Sequence, residues 1–125
     1  MNFMEVSKKH ILVVDDDQVI RDLIISFLTF SGYDAQGAQN GQEGLDLVLN
    51  QHPDLVITDI HMPLMNGFQL LKAVKKIDPD IPIIFITGYA HLRRFFSEQN
   101  ARADGFLEKP FNLDSLNTLV KKFVG

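Results

Sequence analysis

With 125 residues and no cysteine, the chain is the size of one domain and has no disulfide framework, thiolate zinc site or thiol nucleophile. Apolar residues make up 46% and charged residues 22%, the balance of a soluble globular domain that buries roughly two thirds of its unfolded surface. The net charge of −4 with scattered basic residues argues against a nucleic-acid surface, and no apolar run approaches the ~20 residues of a membrane span.

Residues 1–9 lack the apolar stretch of a signal peptide and read as an N-terminal extension, with residues 10–125 as one domain and a cytoplasmic location expected. The first strand is Ile11–Val14, a continuous apolar run whose β-branched residues suit a central parallel strand covered on both faces. Asp17 is the expected N-cap of a helix with apolar residues at Ile20, Leu23, Ile24, Phe27 and Leu28, ended by Gly32. Tyr33 to Ala38 makes a weak strand suited to a sheet edge. Asn40 and Glu43 have capping-box spacing at the start of a second helix, through Leu45, Val48 and Leu49. A second buried-type strand, Leu55-Val56-Ile57-Thr58, ends on Asp59 and runs into a loop marked by Pro63 and Gly67. A third helix covers about Gly67 to Ile77 with Leu70, Leu71 and Val74 inward. Ile83-Ile84-Phe85-Ile86-Thr87 is the most apolar strand, and a fourth helix is expected over about His91 to Asn100. Gly105-Phe106-Leu107-Glu108 is a short strand, followed by an amphipathic helix over Leu113 to Val124.

Five βα units with short connections predict a three-layer, doubly wound (βα)5 sandwich, because parallel strands need right-handed helical crossovers that cover both faces. Open sheets of this kind bind ligands at the carboxyl ends of their strands. Asp15, Asp16, Asp59, Thr87 and Lys109 each stand at or just beyond such an end. If the strands before Asp15 and Asp59 are neighbours, three carboxylates converge, and a cation is the simplest reason to gather like charges. Mg2+ fits, since it takes oxygen ligands and needs only one or two carboxylates. A cation, a lysine and a hydroxyl together make a pocket for a phosphoryl group, which a carboxylate can itself accept as an aspartyl phosphate.

Over essentially its whole length, the chain resembles a response-regulator receiver domain of two-component signal transduction. Asp15-Asp16 resembles the family's acidic pair, and Asp59 its phosphoacceptor, in a D-x-x-M-P-x-M-x-G loop that closes at Gly67. Thr87 resembles the switch hydroxyl and Lys109-Pro110-Phe111 the K-P-F motif. The resemblance implies a flavodoxin-like sheet of order 2-1-3-4-5, which makes the first and third strands neighbours. It implies Mg2+ bound by Asp16, Asp59 and the backbone carbonyl of His61, with Asp15 acting mainly through water. It also implies that Lys109 binds Asp59 and then a phosphoryl oxygen, that Thr87 and Phe106 form the switch, and that the Lys109–Pro110 bond is cis. The rate of phosphoryl loss would be set at His61 and Tyr89.

Partners implied in the same way are a histidine kinase or histidine phosphotransfer protein and a downstream effector protein, with no direct nucleic acid and no membrane insertion. The expected output surface is the fourth helix, fifth strand and fifth helix, carrying Leu92, Phe95, Phe96 and Phe106 among arginines; it would also serve a weak dimer if the chain is not a monomer. The chain departs from the common pattern with Phe106 as the gating aromatic, Gly88 after Thr87, and Arg102 where a helix-ending glycine is usual. An alternative is a haloacid-dehalogenase-type phosphatase, because Asp15-Asp16-Asp17-Gln18-Val19 fits D-x-D-x-V with Asp15 as nucleophile and Asp17 as acid. That reading leaves Asp59 and its loop unexplained, and no acidic pair follows Lys109. His10, His52 and His91 read as surface residues without metal-ligand spacing.

Overall fold

Five parallel strands form one sheet in the order β2-β1-β3-β4-β5. The computed structural model describes residues 8–88 and 103–125. Its strands are β1 (His10–Val14), β2 (Asp34–Ala38), β3 (Leu55–Asp59), β4 (Ile83–Thr87) and β5 (Gly105–Glu108). Helices α1 (Gln18–Phe30), α2 (Gly41–Gln51), α3 (Gly67–Ile77) and a C-terminal helix (Leu113–Val124) flank them. The expected helix over about His91 to Asn100 lies outside the described residues, as do Tyr89, Leu92, Phe95 and Phe96.

Successive strand residues point to opposite faces, so a strand covered on both sides must be apolar at every position. That is why β1, β3 and β4 read as unbroken runs. Leu12, Val14, Val56, Ile83 and Phe85 pack toward Val48, Leu70 and Val74 of α2 and α3. The alternate residues Ile11, Val13, Leu55, Ile57, Ile84 and Ile86 pack toward Ile24 and Leu28 of α1 and Leu116 and Val120 of the C-terminal helix.

Helix ends follow from local chemistry. The Asp17 side chain accepts from the Val19 and Ile20 N–H groups at 2.9 and 3.3 Å, satisfying donors that have no partner within the helix. At the other end Gly32 takes φ +98°, and the Tyr33 N–H reaches back to the Leu28 carbonyl at 3.0 Å. A left-handed residue there would strain any side chain.

Two apolar residues of the helical pattern face solvent, and one capping expectation needs correction. Leu23 is 51% exposed, because it lies about 100° round the helix from Ile24, outside the stripe that α1 buries. Leu49 is 62% exposed for the same reason, one step past the buried Gly41, Gly44 and Val48. At α2 only half of the capping box forms among the described residues, with Asn40 accepting from the Glu43 N–H at 2.8 Å. The reciprocal pair of bonds forms instead at α3, where Asn66 and Gln69 each accept the other's backbone N–H at 2.9 Å.

Candidate functional site: three carboxylates and a lysine at the sheet edge

In the β1–β3 register Val14 pairs with Thr58, so the next residues, Asp15 and Asp59, leave adjacent strands side by side. Oxygens of Asp15, Asp16 and Asp59 lie within 4.8 Å of one another. Asp15 and Asp59 are buried and Asp16 is exposed. The set suits a hard cation: all donors are carboxylate oxygens, and the exposed member leaves one side open to water or phosphate.

Lys109 comes from the far end of β5 and places its Nζ 3.2 Å from Asp15 Oδ2 and 3.2 Å from Asp59 Oδ2. It therefore bridges both acids, where the resemblance implies a bond to Asp59. The remaining oxygens are held by backbone: Asp15 Oδ1 accepts from the Asp17 N–H at 2.9 Å and Asp59 Oδ1 from the Ile60 N–H at 2.7 Å. Among the described residues no buried side-chain polar atom lacks a partner. The Lys109–Pro110 bond is cis, as the resemblance implied.

Thr87 is fully buried at the end of β4, and its carbonyl accepts from the Lys109 N–H at 2.8 Å. Phe106 is half-buried, with its ring edge-on to Phe85 at 5.7 Å, and Phe85 is in turn edge-on to Phe68 at 5.4 Å. His61 is exposed two residues beyond Asp59.

Two residues after Asp59, one in the loop and one opening α3, have backbone constraints that the sequence did not reveal. Gly67 packs so closely under Asp59 that a Cβ would stand 2.6 Å from the Asp59 carbonyl oxygen. Leu64 is 83% exposed at φ +70°, a backbone conformation that costs a branched side chain roughly 1–2 kcal/mol. A motif shows that a glycine or an arbitrary residue stands at a position; only the backbone path shows what it touches.

Burial pushes the Asp15 carboxyl above its usual range, and the Asp59 charge adds to this; the Asp17 N–H and Lys109 oppose it without cancelling it. Burial acts to lower the Lys109 ammonium, but the charges and hydrogen bonds of Asp59 and Asp15 outweigh it and raise the group. A carboxyl with a raised folded-state pKa contributes stability when protonated, and that contribution is lost as pH rises through the raised value. Ionised Asp15 thus weakens the metal-free fold at neutral pH. Asp15→Asn should raise the metal-free melting temperature by a few degrees at neutral pH, and the gain should shrink on acidification. Thermal denaturation in a chelator across pH checks this. A variant melting below the wild type at neutral pH would show that the Lys109 pairing outweighs burial.

The chain belongs to the response-regulator receiver family: the model described as the response regulator receiver domain matches residues 11–121. It is thus a receiver domain of the two-component type. The chain is 38% identical over 106 residues to response regulator MprA of Mycobacterium sp. (strain KMS), an alignment covering 85% of the chain and 46% of MprA. It therefore spans about half the length of that relative. It is 37% identical over 114 residues to sporulation initiation phosphotransferase F of Bacillus subtilis (strain 168), covering 91% of the chain and 92% of that protein. Among solved structures, TrrA of Thermotoga maritima, a response regulator in complex with Mg2+-BeF, superposes with a TM-score of 0.84 at 40% identity, covering 93% of this chain and 99% of that one. No helix among the described residues is long and apolar enough to cross a membrane.

Proposed function

We propose that this chain is a phosphorylation-controlled switch in which Asp59 accepts a phosphoryl group from the phosphohistidine of a histidine kinase or phosphotransfer protein. The observation that carries this reading is Lys109 Nζ set 3.2 Å from both Asp59 and Asp15, with the Asp16 carboxylate in the same cluster. Asp16, Asp59 and the His61 backbone carbonyl would hold Mg2+, with Asp15 acting through water; the ion supplies charge neutralisation for the incoming phosphoryl oxygens.

An Asp59 carboxylate oxygen attacks phosphorus, the P–N bond of the donor breaks, and the imidazole leaves with the bonding pair and takes up a proton. Lys109 would neutralise a phosphoryl oxygen, and Thr87, at the carboxyl end of β4, would donate its hydroxyl to another. Such transfer needs positioning and electrostatics more than covalent chemistry. In the phosphatase alternative Asp17 would be the general acid, but here its side chain caps α1 and Asp15 is bonded at both oxygens. Incubation with Mg2+ and acetyl phosphate should add one hydroxylamine-labile phosphoryl group at Asp59. Labelling that maps to Asp15 would overturn the reading.

The same proposal places the protein in the cytoplasm and passes the signal to an effector protein through β5, the C-terminal helix and residues 91–100, with Thr87 and Phe106 as the switch. The packing of Phe106 on Phe85 supports a coupled movement, because Phe85 lies two residues before Thr87 on β4 and so shares its face of the sheet. Beryllofluoride with Mg2+ should shift amides of β5 and the C-terminal helix. Shifts confined to α1 would count against this output surface.

A further inference from the structure

Asp16 is the least restrained of the three carboxylates. Asp15 is held at one oxygen by the Asp17 N–H and at the other by Lys109, and Asp59 by the Ile60 N–H and Lys109. The exposed Asp16 side chain makes no hydrogen bond to any described residue. Its direction therefore depends on the peptide that joins it to Asp15.

That peptide is gripped from α1. Arg21 Nη1 donates to the Asp15 carbonyl at 2.7 Å, from a half-buried side chain with no carboxylate at ion-pairing distance among the described residues. The stem of Arg21 reaches this point by lying across β2 at Gly37, where a Cβ would stand 3.0 Å from Arg21 Cδ and 3.2 Å from Cγ. On its other side Asp15 donates its N–H to the Ala38 carbonyl at 3.1 Å. The backbone that launches Asp16 is thus fixed at both ends, and one of those fixings is a charged side chain with no other described partner.

We infer that Arg21 is a positioning residue for the metal site: by holding the Asp15 carbonyl across the bare backbone of Gly37, it aims Asp16 at the cation shared with Asp59. The inference rests on the reading of Asp15, Asp16 and Asp59 as a Mg2+ site. Arg21 has two effects of opposite sign there. As a cation it repels Mg2+, but a partly solvated charge is screened over about 8–10 Å at ordinary salt. As a clamp it removes the cost of ordering Asp16, and loss of a group that orients a metal ligand typically costs roughly 10–100-fold in affinity. The clamp should dominate.

Mg2+ titration of the full chain followed by amide shifts, for the wild type, Arg21→Met and Arg21→Lys, tests this. Arg21→Met should bind Mg2+ about tenfold more weakly and should displace the Asp16 amide resonance before any metal is added. Arg21→Lys, which keeps a donor and the charge, should recover part of the affinity. Melting temperatures in a chelator separate a merely structural role, which would lower stability without moving the dissociation constant. Affinity unchanged in Arg21→Met, or an unmoved Asp16 amide, overturns the inference, and tighter binding reduces Arg21 to a repelling charge. If the wild type itself shows no saturable shifts around Asp15, Asp16 and Asp59, it is the metal-site reading that fails.

Discussion

An Asp59→Asn variant incubated with Mg2+ and acetyl phosphate should take up no hydroxylamine-labile phosphoryl group, while remaining folded. The amide has no anionic oxygen to attack phosphorus and offers a cation a weaker ligand, so transfer is lost and cation binding is weakened. The fold should survive, because the substitution is close to isosteric at a position 8% exposed and removes one of two like charges beside Asp15. Asp15→Asn is the informative contrast. It keeps the nucleophile and one partner of Lys109, so it should slow labelling without abolishing it. The reverse pattern, with labelling lost in Asp15→Asn and kept in Asp59→Asn, would restore the phosphatase reading. Chelation of Mg2+ should suppress labelling of the wild type, since three carboxylates and one lysine leave the pocket too negative to receive a phosphoryl group unaided.

Gly67→Ala should destabilise the fold by about 1–3 kcal/mol and slow phosphorylation of Asp59 with it. A Cβ at Gly67 would stand 2.6 Å from the Asp59 carbonyl oxygen and 2.9 Å from Ile60 Cα. Both obstacles are backbone, so no rotamer change relieves them. The Gly67 N–H is also bonded to the Ile60 carbonyl at 2.8 Å, which stops α3 from retreating as a unit without losing that bond. Strain should appear in the segment that carries the phosphoacceptor. Gly88→Ala is the control: its added Cβ would be 4.0 Å from Lys109 Cβ, an ordinary contact, and stability should change little. Denaturant unfolding of both variants, with initial labelling rates, measures the difference. Equal stability of Gly67→Ala and the wild type would show that the close approach is not limiting.

Much of this was legible in one dimension. Runs such as Leu55–Thr58 and Ile83–Ile86 are apolar at every position, and only a strand with both faces covered demands that, so the layered parallel sheet follows. A polar residue that ends such a run stands at the sheet edge whatever the details, which singles out Asp15, Asp59 and Thr87. Asp17 caps α1 through bonds to residues two and three positions on, and that range is local enough to read from spacing.

Legibility stops where the chemistry depends on distances across elements. Leu23 and Leu49 satisfy helical periodicity, yet they face solvent, because a stripe's width is decided by how deeply the neighbouring sheet receives the helix. Nothing in the order of residues says that Lys109, 94 positions from Asp15 and 50 from Asp59, sits at one distance from both. Nor does the spacing of Arg21 and Gly37 announce that one side chain crosses the other residue's backbone to reach the Asp15 carbonyl. Residue types and their periods determined the sheet, its layers and the polar residues delivered to its edge, because hydrophobic burial acts on patterns. Which oxygens Lys109 bridges, which carboxylate is left unheld and which glycine admits no side chain were decided only by the tertiary structure, because hydrogen bonds and steric contacts act over ångströms and need actual positions in space.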